Sequence, residues 1–323
     1  MSFLAGLRDR AAATGARIGF PEAAEARTEQ AIRRLAEEGA IRPVVVESAA
    51  EAENALAGGG IDLLDPYAPG RRGEVADLLP EIAAGGPVDT LRFAVAQLKS
   101  GHLDGVVAGA NSATADVLRA GLRLLGTAPG IKTVSSSFYM VPANGRTGDV
   151  LTFTDPAVVP SPTAGQLAEI AEAACRARQL VVGDEPRVAF LSYSTRGSAD
   201  GDSVRTVREA LAQFRSRVPE VICDGELQVD AALVPDIARR KAPDSAVAGR
   251  ANVLVFPDLD AGNIGYKLIQ RLAGSHALGP ILQGLAGPLN DLSRGASVED
   301  IVHVAYITAL MSAAPRIDTS GSH

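Results

Sequence analysis

Residues 105–114 read Gly105-Val106-Val107-Ala108-Gly109-Ala110-Asn111-Ser112-Ala113-Thr114, an apolar run that passes directly into a polar turn. A helical pattern follows the turn and extends to about Leu125. Short apolar runs that are bounded by glycine and followed by a helix are typical of strands in α/β proteins. The stretch therefore predicts one strand, one turn and one helix in that order.

The same order recurs on both sides of this stretch. Strands are predicted at 17–20, 43–46, 187–194 and 253–256, and helices at 24–38, 89–99, 161–180, 204–214, 262–272 and 298–311. This alternation predicts a doubly wound, largely parallel α/β architecture. One exception is a predicted antiparallel strand pair at 132–142 and 150–154, joined by Asn144-Gly145, a dipeptide typical of tight hairpins. We place a domain boundary beside this pair, near residue 131.

Several helix starts are predicted from their capping residues. Asp89 is a good N-cap for the helix that runs to Lys99. Ser161 is predicted as the N-cap of the next long helix, with Pro162 at its first position, where a proline loses no hydrogen bond. Gly262-Asn263 is predicted to open the helix near 262–272.

The composition limits the classes of function. Of the 323 residues 46% are hydrophobic, which predicts a globular chain of about two domains. Lys and Arg number 31 against 38 Asp and Glu, a net charge of −7, and there is no basic tail. Such a protein is a poor general binder of nucleic acid or anionic membranes, and no apolar run reaches about 18 residues. We expect neither partner, and an anionic substrate would need local arginines.

The N-terminus and the cysteines indicate the compartment. The chain runs from Met1 to Ala5 directly into Arg8-Asp9-Arg10, without the apolar stretch of a signal peptide. Cys175 and Cys223 are the only cysteines, and we expect both to be reduced thiols. The sequence therefore predicts a cytoplasmic protein.

Three strand-to-helix turns are unusually polar, at 109–114, 192–198 and 257–263. Ligands of doubly wound sheets bind beyond the carboxyl ends of the strands, where such turns lie. Hydroxyls, backbone N–H groups and an arginine at a helix start suit a phosphate. The same residue types are also ordinary caps and turn formers, so both interpretations stay open from the residues alone.

Several common signatures are missing from the chain. It has no Gly-x-x-x-x-Gly-Lys-Ser/Thr loop, no well-placed Gly-x-Gly-x-x-Gly and no Gly-x-Ser-x-Gly elbow. The four histidines, His102, His276, His303 and His323, form no closely spaced cluster. They therefore predict no metal site.

A set of longer strings carries a resemblance to a known family. They are Asp104–Ala110 (DGVVAGA), Leu191–Ala199 (LSYSTRGSA), Asp224–Ala232 (DGELQVDAA), Lys241–Ser245 (KAPDS), Val255–Leu259 (VFPDL), Gly279–Leu285 (GPILQGL) and Asn290–Gly295 (NDLSRG). In this order they resemble phosphate acetyltransferase, the acyl-CoA:phosphate acyltransferase family, over nearly the whole chain.

The resemblance implies two doubly wound, mostly parallel α/β domains with an interdomain cleft, a fold shared with isocitrate and isopropylmalate dehydrogenases. The first domain would comprise residues 1–131 and 297–323, and the second residues 132–296. The resemblance also implies a homodimer and the reaction acetyl-CoA + phosphate ⇌ acetyl phosphate + CoA. Coenzyme A would be a substrate, with no metal and no tightly bound cofactor.

The family's catalytic Ser-Arg pair and nearby Asp correspond here to Ser293, Arg294 and Asp300. The resemblance implies that Asp300 takes the proton of the CoA thiol, that Arg294 binds the phosphoryl group and that Ser293 holds the substrate or the tetrahedral oxyanion. Spacing alone offers another interpretation, because Ser297-x-x-Asp300 is a capping-box pattern at the start of the last helix. Capping and catalysis are compatible, since a helix start would orient Asp300.

The same resemblance names substrate-binding residues. The turn Ser194-Thr195-Arg196-Gly197 would belong to the anion cradle, and Arg119 would contact a CoA phosphate. Asn263 would also bind substrate.

Two positions depart from the family pattern. The stretch 79–87 has no basic residue, whereas the family usually carries a basic string before the helix near residue 89, and many members have His where Asn111 stands. We therefore expect weaker CoA affinity with the chemistry intact. The alternatives are a non-catalytic module that senses acetyl-CoA or acetyl phosphate, an acyltransferase for propionyl or butyryl groups, and an NAD-dependent dehydrogenase of the shared fold.

Overall fold

The computed structural model of the chain describes residues 2–50, 52, 60–143, 145 and 147–313. These residues form two compact units. Within the described ranges, the first unit contains Leu4–Gly130 and residues 285–313, and the second contains residues 2–3 and Ile131–Gly284. No helix in the described ranges combines the length and the apolar character needed to cross a lipid bilayer.

The regular elements alternate along the chain. The described strands are β1 (Arg17–Phe20), β2 (Arg42–Val45), β3 (Asp62–Leu63), β4 (Gly105–Ala108), β5 (Ser135–Val141), β6 (Leu151–Thr154), β7 (Arg187–Leu191), β8 (Ile222–Leu227), β9 (Val253–Val255), β10 (His276–Gln283) and β11 (Leu289–Asp291). The described α-helices are α1 (Phe3–Ala12), α2 (Ala26–Glu38), α3 (Pro80–Ala83), α4 (Thr90–Lys99), α5 (Thr114–Ala120), α6 (Ala164–Val181), α7 (Asp202–Arg217), α8 (Val229–Leu233), α9 (Pro235–Lys241), α10 (Leu259–Leu272) and α11 (Val298–Ser312).

The first unit contains a parallel sheet with the strand order β11-β4-β1-β2-β3. Strand β4 is buried at every one of its positions, 105–108. A strand that is covered on both faces needs apolar side chains throughout, and this explains why the run does not alternate between apolar and polar residues. A π-helical turn, Gly121–Leu125, follows α5, so the helical segment reaches the predicted end.

The chain returns to the first unit through β11. Leu289 lies opposite Val106 and Asp291 opposite Ala108 in a parallel pairing with β4. The backbone N–H and C=O groups of this buried segment need partners, and the edge of β4 supplies them. Residues 285–296 therefore belong to the first unit, whereas the sequence had suggested a return at residue 297.

Helix α11 is the most deeply buried helix segment of the first unit. Every residue from Ile301 to Leu310 is buried, which matches a helix that is apolar on nearly all sides. It packs against α2, β1, β4 and β11. Two polar contacts fix it there: Asn290 Nδ2 donates to Thr308 Oγ1 at 2.8 Å, and the Tyr306 hydroxyl donates to Glu38 Oε2 at 2.5 Å.

The second unit contains a mixed sheet with the strand order β10-β5-β6-β9-β7-β8. Strands β6, β9, β7 and β8 are parallel, and β5 is antiparallel to both of its neighbours. Helices α6 and α7 cover one face, where Phe190 packs edge-on against Phe214. On the other face Phe138 stacks on Tyr266 of α10, with 4.1 Å between the ring centroids.

The predicted fold class, α/β with two largely parallel units, is confirmed. Strands β1, β4, β7 and β9 begin at the predicted residues 17, 105, 187 and 253. The predicted antiparallel pair is present as β5 and β6, although Asn144 of the predicted turn lies outside the described residues. Cys175 and Cys223 are both free thiols.

One helix start differs from the prediction at α6. The N-cap is Thr163 rather than Ser161, and the helix begins at Ala164. Thr163 and Gln166 form a reciprocal capping box, in which each side chain satisfies a backbone N–H of the other residue. Two satisfied donors outweigh the advantage of a proline at the first position.

A second difference concerns α10. This helix begins at Leu259 and not at Gly262, because the carboxylate of Asp258 accepts the N–H of Ala261 at 2.8 Å and acts as N-cap. The predicted cap at Asp89 is confirmed.

Asp291, the last residue of β11, is a buried acid. Its side chain is almost fully buried, its Oδ2 accepts the Thr114 hydroxyl at 2.6 Å, and its Oδ1 has no hydrogen-bond partner among the described residues. Burial raises the pKa of Asp291 to about 6, and the negative charge of Glu22 acts in the same direction. Hydrogen bonds from Thr114 and from the N–H of Leu292 oppose this increase only in part.

Arg178 of α6 is a fully buried cation. Its Nε and Nη2 donate to the two carboxylate oxygens of Asp184 at 2.7 and 2.8 Å. Its Nη1 donates to Thr152 Oγ1 at 2.9 Å and to the carbonyl of Asn252 at 3.0 Å. This side chain therefore joins α6 to β6 and to the start of β9.

We expect the substitution Asp291→Asn to change how stability depends on pH. The native pKa lies above the unfolded value, so native Asp291 holds its proton more tightly and the wild type loses stability as pH rises from about 4 to about 6. A difference of about 2 in pKa corresponds to about 3 kcal/mol. Urea denaturation at pH 4 and at pH 7 measures the unfolding free energy of both proteins. The difference, variant minus wild type, should be larger at pH 7 than at pH 4 by this amount. A difference that is equal at both pH values would contradict the buried ionisation.

We expect Arg178→Met to destabilise the second unit by about 3 kcal/mol, because Asp184 would lose a bidentate partner next to buried polar groups. Arg176→Met, on the same helix, is the matched control: Arg176 is 59% exposed and pairs with Glu172, which keeps Arg217. The control should cost less than about 1 kcal/mol. If thermal denaturation shows that the two variants lower the melting temperature by the same amount, a structural role for Arg178 is refuted.

Candidate active site

The polar turn after β4 binds a carboxylate of its own chain. Glu22 Oε2 accepts the N–H groups of Gly109, Ala110 and Asn111 at 2.9, 2.7 and 3.2 Å, and Glu22 Oε1 accepts that of Ser112 at 2.6 Å. Consecutive N–H groups that converge in this way form an anion-binding nest. The polar sequence of this turn also suits a phosphate, but in the structure Glu22 accepts its backbone N–H groups.

Gly109 is required at the start of this turn. Its φ is +101°, a backbone conformation that favours glycine. A Cβ at this position would lie 2.1 Å from Asp291 Oδ1. The ends of β4 and β11 therefore approach each other closely, and the Thr114 hydroxyl closes the contact from the start of α5.

A short exposed turn connects β11 to α11. Ser293 and Arg294 are both exposed, and the N–H of Ala296 donates to the carbonyl of Ser293 at 2.8 Å. The N–H of Gly295 also donates to Ser293 Oγ at 3.3 Å. The Arg294 side chain has no ion-pair partner among the described residues, so its charge is available to an anionic ligand.

Asp300 lies in the first turn of α11 and takes part in the helix cap. Its Oδ2 accepts the N–H and the hydroxyl of Ser297, both at 2.8 Å, and its own N–H donates to Ser297 Oγ at 3.2 Å. The predicted capping box is confirmed. Asp300 Oδ1 accepts no hydrogen bond from the described residues, and the side chain is partly exposed. One oxygen therefore fixes the carboxylate while the other remains open.

The three predicted catalytic residues lie in one short stretch at the carboxyl end of the parallel sheet. Ser293 and Arg294 belong to the turn after β11, and Asp300 belongs to the first turn of α11. Ligands of such sheets bind at this end of the strands. The positive end of the helix dipole also points there.

Arg119 lies on α5, near a groove of the first unit. The groove has a volume of about 250 Å³ and is lined by Arg92, Arg119 and Arg123 together with three acids, Glu22, Asp89 and Asp116. Arg119 is 54% exposed and pairs with Asp116 one helical turn before it. Three guanidinium groups therefore line this groove, and ion pairs with Glu81 and Asp116 offset part of their charge.

The turn at 192–198 in the second unit also surrounds an acid. Ser194 Oγ donates to Glu226 Oε1 at 2.9 Å, and the N–H of Gly197 donates to the same oxygen at 2.8 Å. Ser194 is fully buried, and its Oγ also accepts the N–H of Ala199 at 3.1 Å. Two predicted anion donors of this turn are therefore engaged within the chain.

Glu226 is held in its charged form. Burial by itself would raise its pKa, but two hydrogen bonds from Arg208, at 2.8 and 2.9 Å, and those from Gly197 and Ser194 prevail. Together they lower the pKa of Glu226 to about 2. The carboxylate therefore stays ionised at any pH at which the protein would be assayed.

Arg196 and Thr195, the remaining members of the predicted cradle, have different surroundings. Arg196 adopts a φ of +48° and donates to buried Asp224 at 2.5 Å, with 42% of its side chain exposed. Thr195 is buried, and its hydroxyl oxygen accepts the N–H of Gln228 at 2.9 Å. Arg196 is therefore the charged residue of this turn, and its guanidinium remains partly exposed.

Asn263 lies in the first half of α10. Its Nδ2 donates to the carbonyl of Pro156 at 3.0 Å, and the residue is partly exposed. This contact ties α10 to the chain after β6. Among the described residues, no group of three or more His, Cys, Asp or Glu side chains is arranged to hold a metal ion.

Four residues that hold these turns by hydrogen bonds were not predicted from the sequence. They are Glu22, Arg27, Arg208 and Glu226. Glu22 lies two residues after the end of β1, and β1 neighbours β4 in the sheet, so the strand order would have placed Glu22 near the turn. Arg27 Nη1 donates to the carbonyls of Arg294 and Ala296, and this contact has no sequence signal.

Comparison with known proteins now adds to this geometry. The family profile described as "Phosphate acetyl/butaryl transferase" matches residues 2–309. The phosphate acetyltransferase of Treponema pallidum is 45% identical, over 97% of this chain and 99% of its own length. A phosphotransacetylase structure from Streptococcus pyogenes has 40% identity and a TM-score of 0.87, covering 96% of this chain and 98% of that one.

A more distant neighbour supports the fold alone. The 4-hydroxythreonine-4-phosphate dehydrogenase of Klebsiella pneumoniae has a TM-score of 0.57 at 15% identity, covering 92% of this chain and 99% of that one. The family profile, by contrast, names acetyl and butyryl transfer to phosphate, and the full-length relatives are named phosphate acetyltransferase. This chain therefore belongs to the phosphate acetyltransferase family, whose enzymes interconvert acetyl-CoA plus phosphate with acetyl phosphate plus CoA.

Proposed function

We propose that Asp300, Arg294 and Ser293 carry the acetyl transfer of this enzyme. The observation that supports this most directly is the geometry of Asp300, whose Oδ2 is fixed in the capping box while Oδ1 has no partner among the described residues. The exposed Arg294 belongs to the turn just before that helix. A general base needs this combination of fixed orientation and an open oxygen.

In the proposed step Asp300 Oδ1 takes the proton from the CoA thiol. The thiolate sulfur attacks the carbonyl carbon of acetyl phosphate, and the tetrahedral intermediate collapses with cleavage of the bond to the phosphate oxygen. Acetyl-CoA and phosphate leave, so no acyl-enzyme is formed. Arg294 binds the phosphoryl oxygens. Ser293 donates a hydrogen bond to the substrate or to the tetrahedral oxyanion, and this hydrogen bond strengthens as negative charge develops on the oxygen.

Proton transfer from the CoA thiol to a carboxylate is unfavourable in water. With a pKa of about 8.5 for a free thiol and about 3.9 for an ordinary carboxylate, the transfer costs about 6 kcal/mol, which the site must lower. The Arg294 guanidinium and the positive end of α11 both favour the thiolate. Arg294 and the start of α11 belong to the same short stretch of chain as Asp300, and this supports the assignment.

We assign substrate binding to the remaining predicted residues. Arg119, with the neighbouring Arg92 and Arg123, would contact a CoA phosphate at the groove on the first unit. In the second unit the contribution of the Ser194–Gly197 turn would come mainly from the exposed Arg196. Glu226 accepts the Ser194 hydroxyl and the Gly197 N–H, and the Thr195 hydroxyl is bonded to Gln228. Asn263 would offer the carboxamide oxygen, because its nitrogen donates to Pro156. No tightly bound cofactor is part of the proposal.

We also propose that the enzyme is a cytoplasmic homodimer. Helix α10 presents an apolar stripe of Ile264, Leu268 and Leu272, which are 58%, 53% and 83% exposed. They are spaced four residues apart, so they share one face of the helix. A second copy of the chain would bury this face. The two free thiols, Cys175 and Cys223, fit a reducing compartment.

We expect Asp300→Asn to lower kcat at least about a hundredfold, because loss of a general base typically has this effect. The asparagine oxygen can still accept from Ser297, so the helix cap and the melting temperature should be kept. The measurement is acetyl-CoA formation from acetyl phosphate and CoA, followed by thioester absorbance, and repeated with propionyl and butyryl phosphate. Glu299→Gln, at the adjacent exposed position, is the matched control and should leave kcat unchanged.

Two outcomes would contradict different parts of this proposal. An Asp300→Asn enzyme with wild-type kcat at saturating substrates would remove Asp300 as the base. If the wild-type protein shows no CoA-dependent turnover, the catalytic activity itself is refuted. The alternative of a non-catalytic binding module would then be favoured.

We expect Leu268→Glu to convert the dimer into monomers at micromolar concentration, because a charge would be placed within the buried apolar face. Light scattering coupled to size-exclusion chromatography would measure the mass. Val229→Glu, a control at a 50%-exposed apolar position of α8, should leave the mass unchanged. A wild type that is monomeric over the same concentration range would refute the homodimer.

A further inference from the structure

Arg27 of α2 contacts the turn that carries Ser293 and Arg294. Its Nη1 donates to the carbonyl oxygen of Arg294 and to that of Ala296, both at 2.8 Å. The two carbonyls flank Gly295, so one guanidinium nitrogen bridges the turn from side to side. Arginine is suited to this because its planar group presents several donors in a fixed geometry.

Glu25 fixes the orientation of this guanidinium. Glu25 Oε1 accepts from Arg27 Nε at 2.8 Å, while Glu25 Oε2 accepts the N–H groups of Arg27 and Thr28 at 3.0 and 2.9 Å. Glu25 is thereby the N-cap of α2. One carboxylate therefore caps the helix and holds the arginine, so the guanidinium is anchored to a rigid element.

The turn itself has few other attachments. Residues 293–295 are exposed, and the turn's own hydrogen bonds are the contacts of the Ser293 carbonyl and hydroxyl described above. Among the described residues, the hydrogen bonds from Arg27 to the carbonyls of Arg294 and Ala296 therefore connect this turn to helix α2. Arg27 also fixes the residue before Ser297, where the capping box of Asp300 begins.

We propose that Arg27, oriented by Glu25, is a positioning residue for acetyl transfer, which holds the Ser293–Ala296 turn in the conformation that presents Ser293 and Arg294 to the phosphate-bearing substrate. The inference rests on the roles proposed for those two residues. Arg27 acts through the backbone carbonyls and does not touch substrate. Its effect should therefore concern the substrate that Arg294 binds and not CoA.

The test compares Arg27→Gln, Arg27→Lys and a control on the same helix, Arg33→Gln. Arg33 pairs with Glu29 on the surface and is 43% exposed. Arg27→Gln should lower kcat/KM for acetyl phosphate about tenfold or more, because small misplacements of a catalytic group are costly. KM for CoA should change less than about twofold. Arg27→Lys keeps a donor but loses the paired contact to Glu25, so it should recover part of the loss, and Arg33→Gln should match the wild type.

Adding Arg27→Gln to an enzyme that already lacks both side chains of the turn separates positioning from stability. If Arg27 acts through Ser293 and Arg294, adding Arg27→Gln to an enzyme with Ser293→Ala and Arg294→Gln should lower kcat/KM for acetyl phosphate further by less than about twofold. A full additional loss in that background would overturn the inference. So would wild-type constants for Arg27→Gln, or a fall in activity that equals the loss of folded protein and affects both substrates equally.

The same experiment keeps this inference apart from the proposed function. If Arg294→Gln and Ser293→Ala retain wild-type turnover, the proposed catalytic roles fail and the inference fails with them. If those two variants are impaired while Arg27→Gln is not, the proposed function stands and the positioning role is refuted.

Discussion

The pairing of β11 with β4 is the contact on which the candidate site depends. Three residues of β11 lie opposite three residues of β4 that are far earlier in the chain, and this pairing brings the segment after residue 284 back to the first sheet. Gly109 allows the strand ends to approach closely, because any side chain there would collide with Asp291. The turn with Ser293 and Arg294 and the start of α11 then follow from where β11 ends. Burial of α11 from Ile301 to Leu310 keeps that start in place.

Internal carboxylates organise the polar turns of both units. Glu22 accepts the backbone N–H groups after β4, and Glu226 accepts the Ser194 hydroxyl and the Gly197 N–H in the turn after β7. Unpaired N–H groups in a partly buried turn are costly, and a carboxylate satisfies several of them at once. The exposed positive charge near these turns is therefore that of arginine side chains. The same use of a carboxylate recurs at Glu25, which caps α2 and holds Arg27.

Local sequence signals predicted much of the fold because they act over a few residues. The apolar run at β4, the cap at Asp89 and the box of Ser297 with Asp300 all depend on neighbours in the chain, and all are present. The starts of α6 and α10 were misplaced because a different residue forms the cap, two positions later in α6 and four positions earlier in α10. The return of residues 285–296 to the first unit was also missed, since a three-residue strand has too little pattern to show which edge it joins.

The sequence by itself determined the fold class and the family, because hydrophobic patterning, capping and long motif strings are properties of neighbouring residues. It also predicted the candidate site in the stretch from Ser293 to Asp300. Only the tertiary structure decided which groups those residues meet. It paired Glu22 with the turn after β4, enclosed Glu226 between Ser194 and Arg208, and placed Arg27 on the carbonyls of the Ser293–Ala296 turn. Such contacts join residues far apart in the chain, and their energies depend on strand order and burial, which no local pattern encodes.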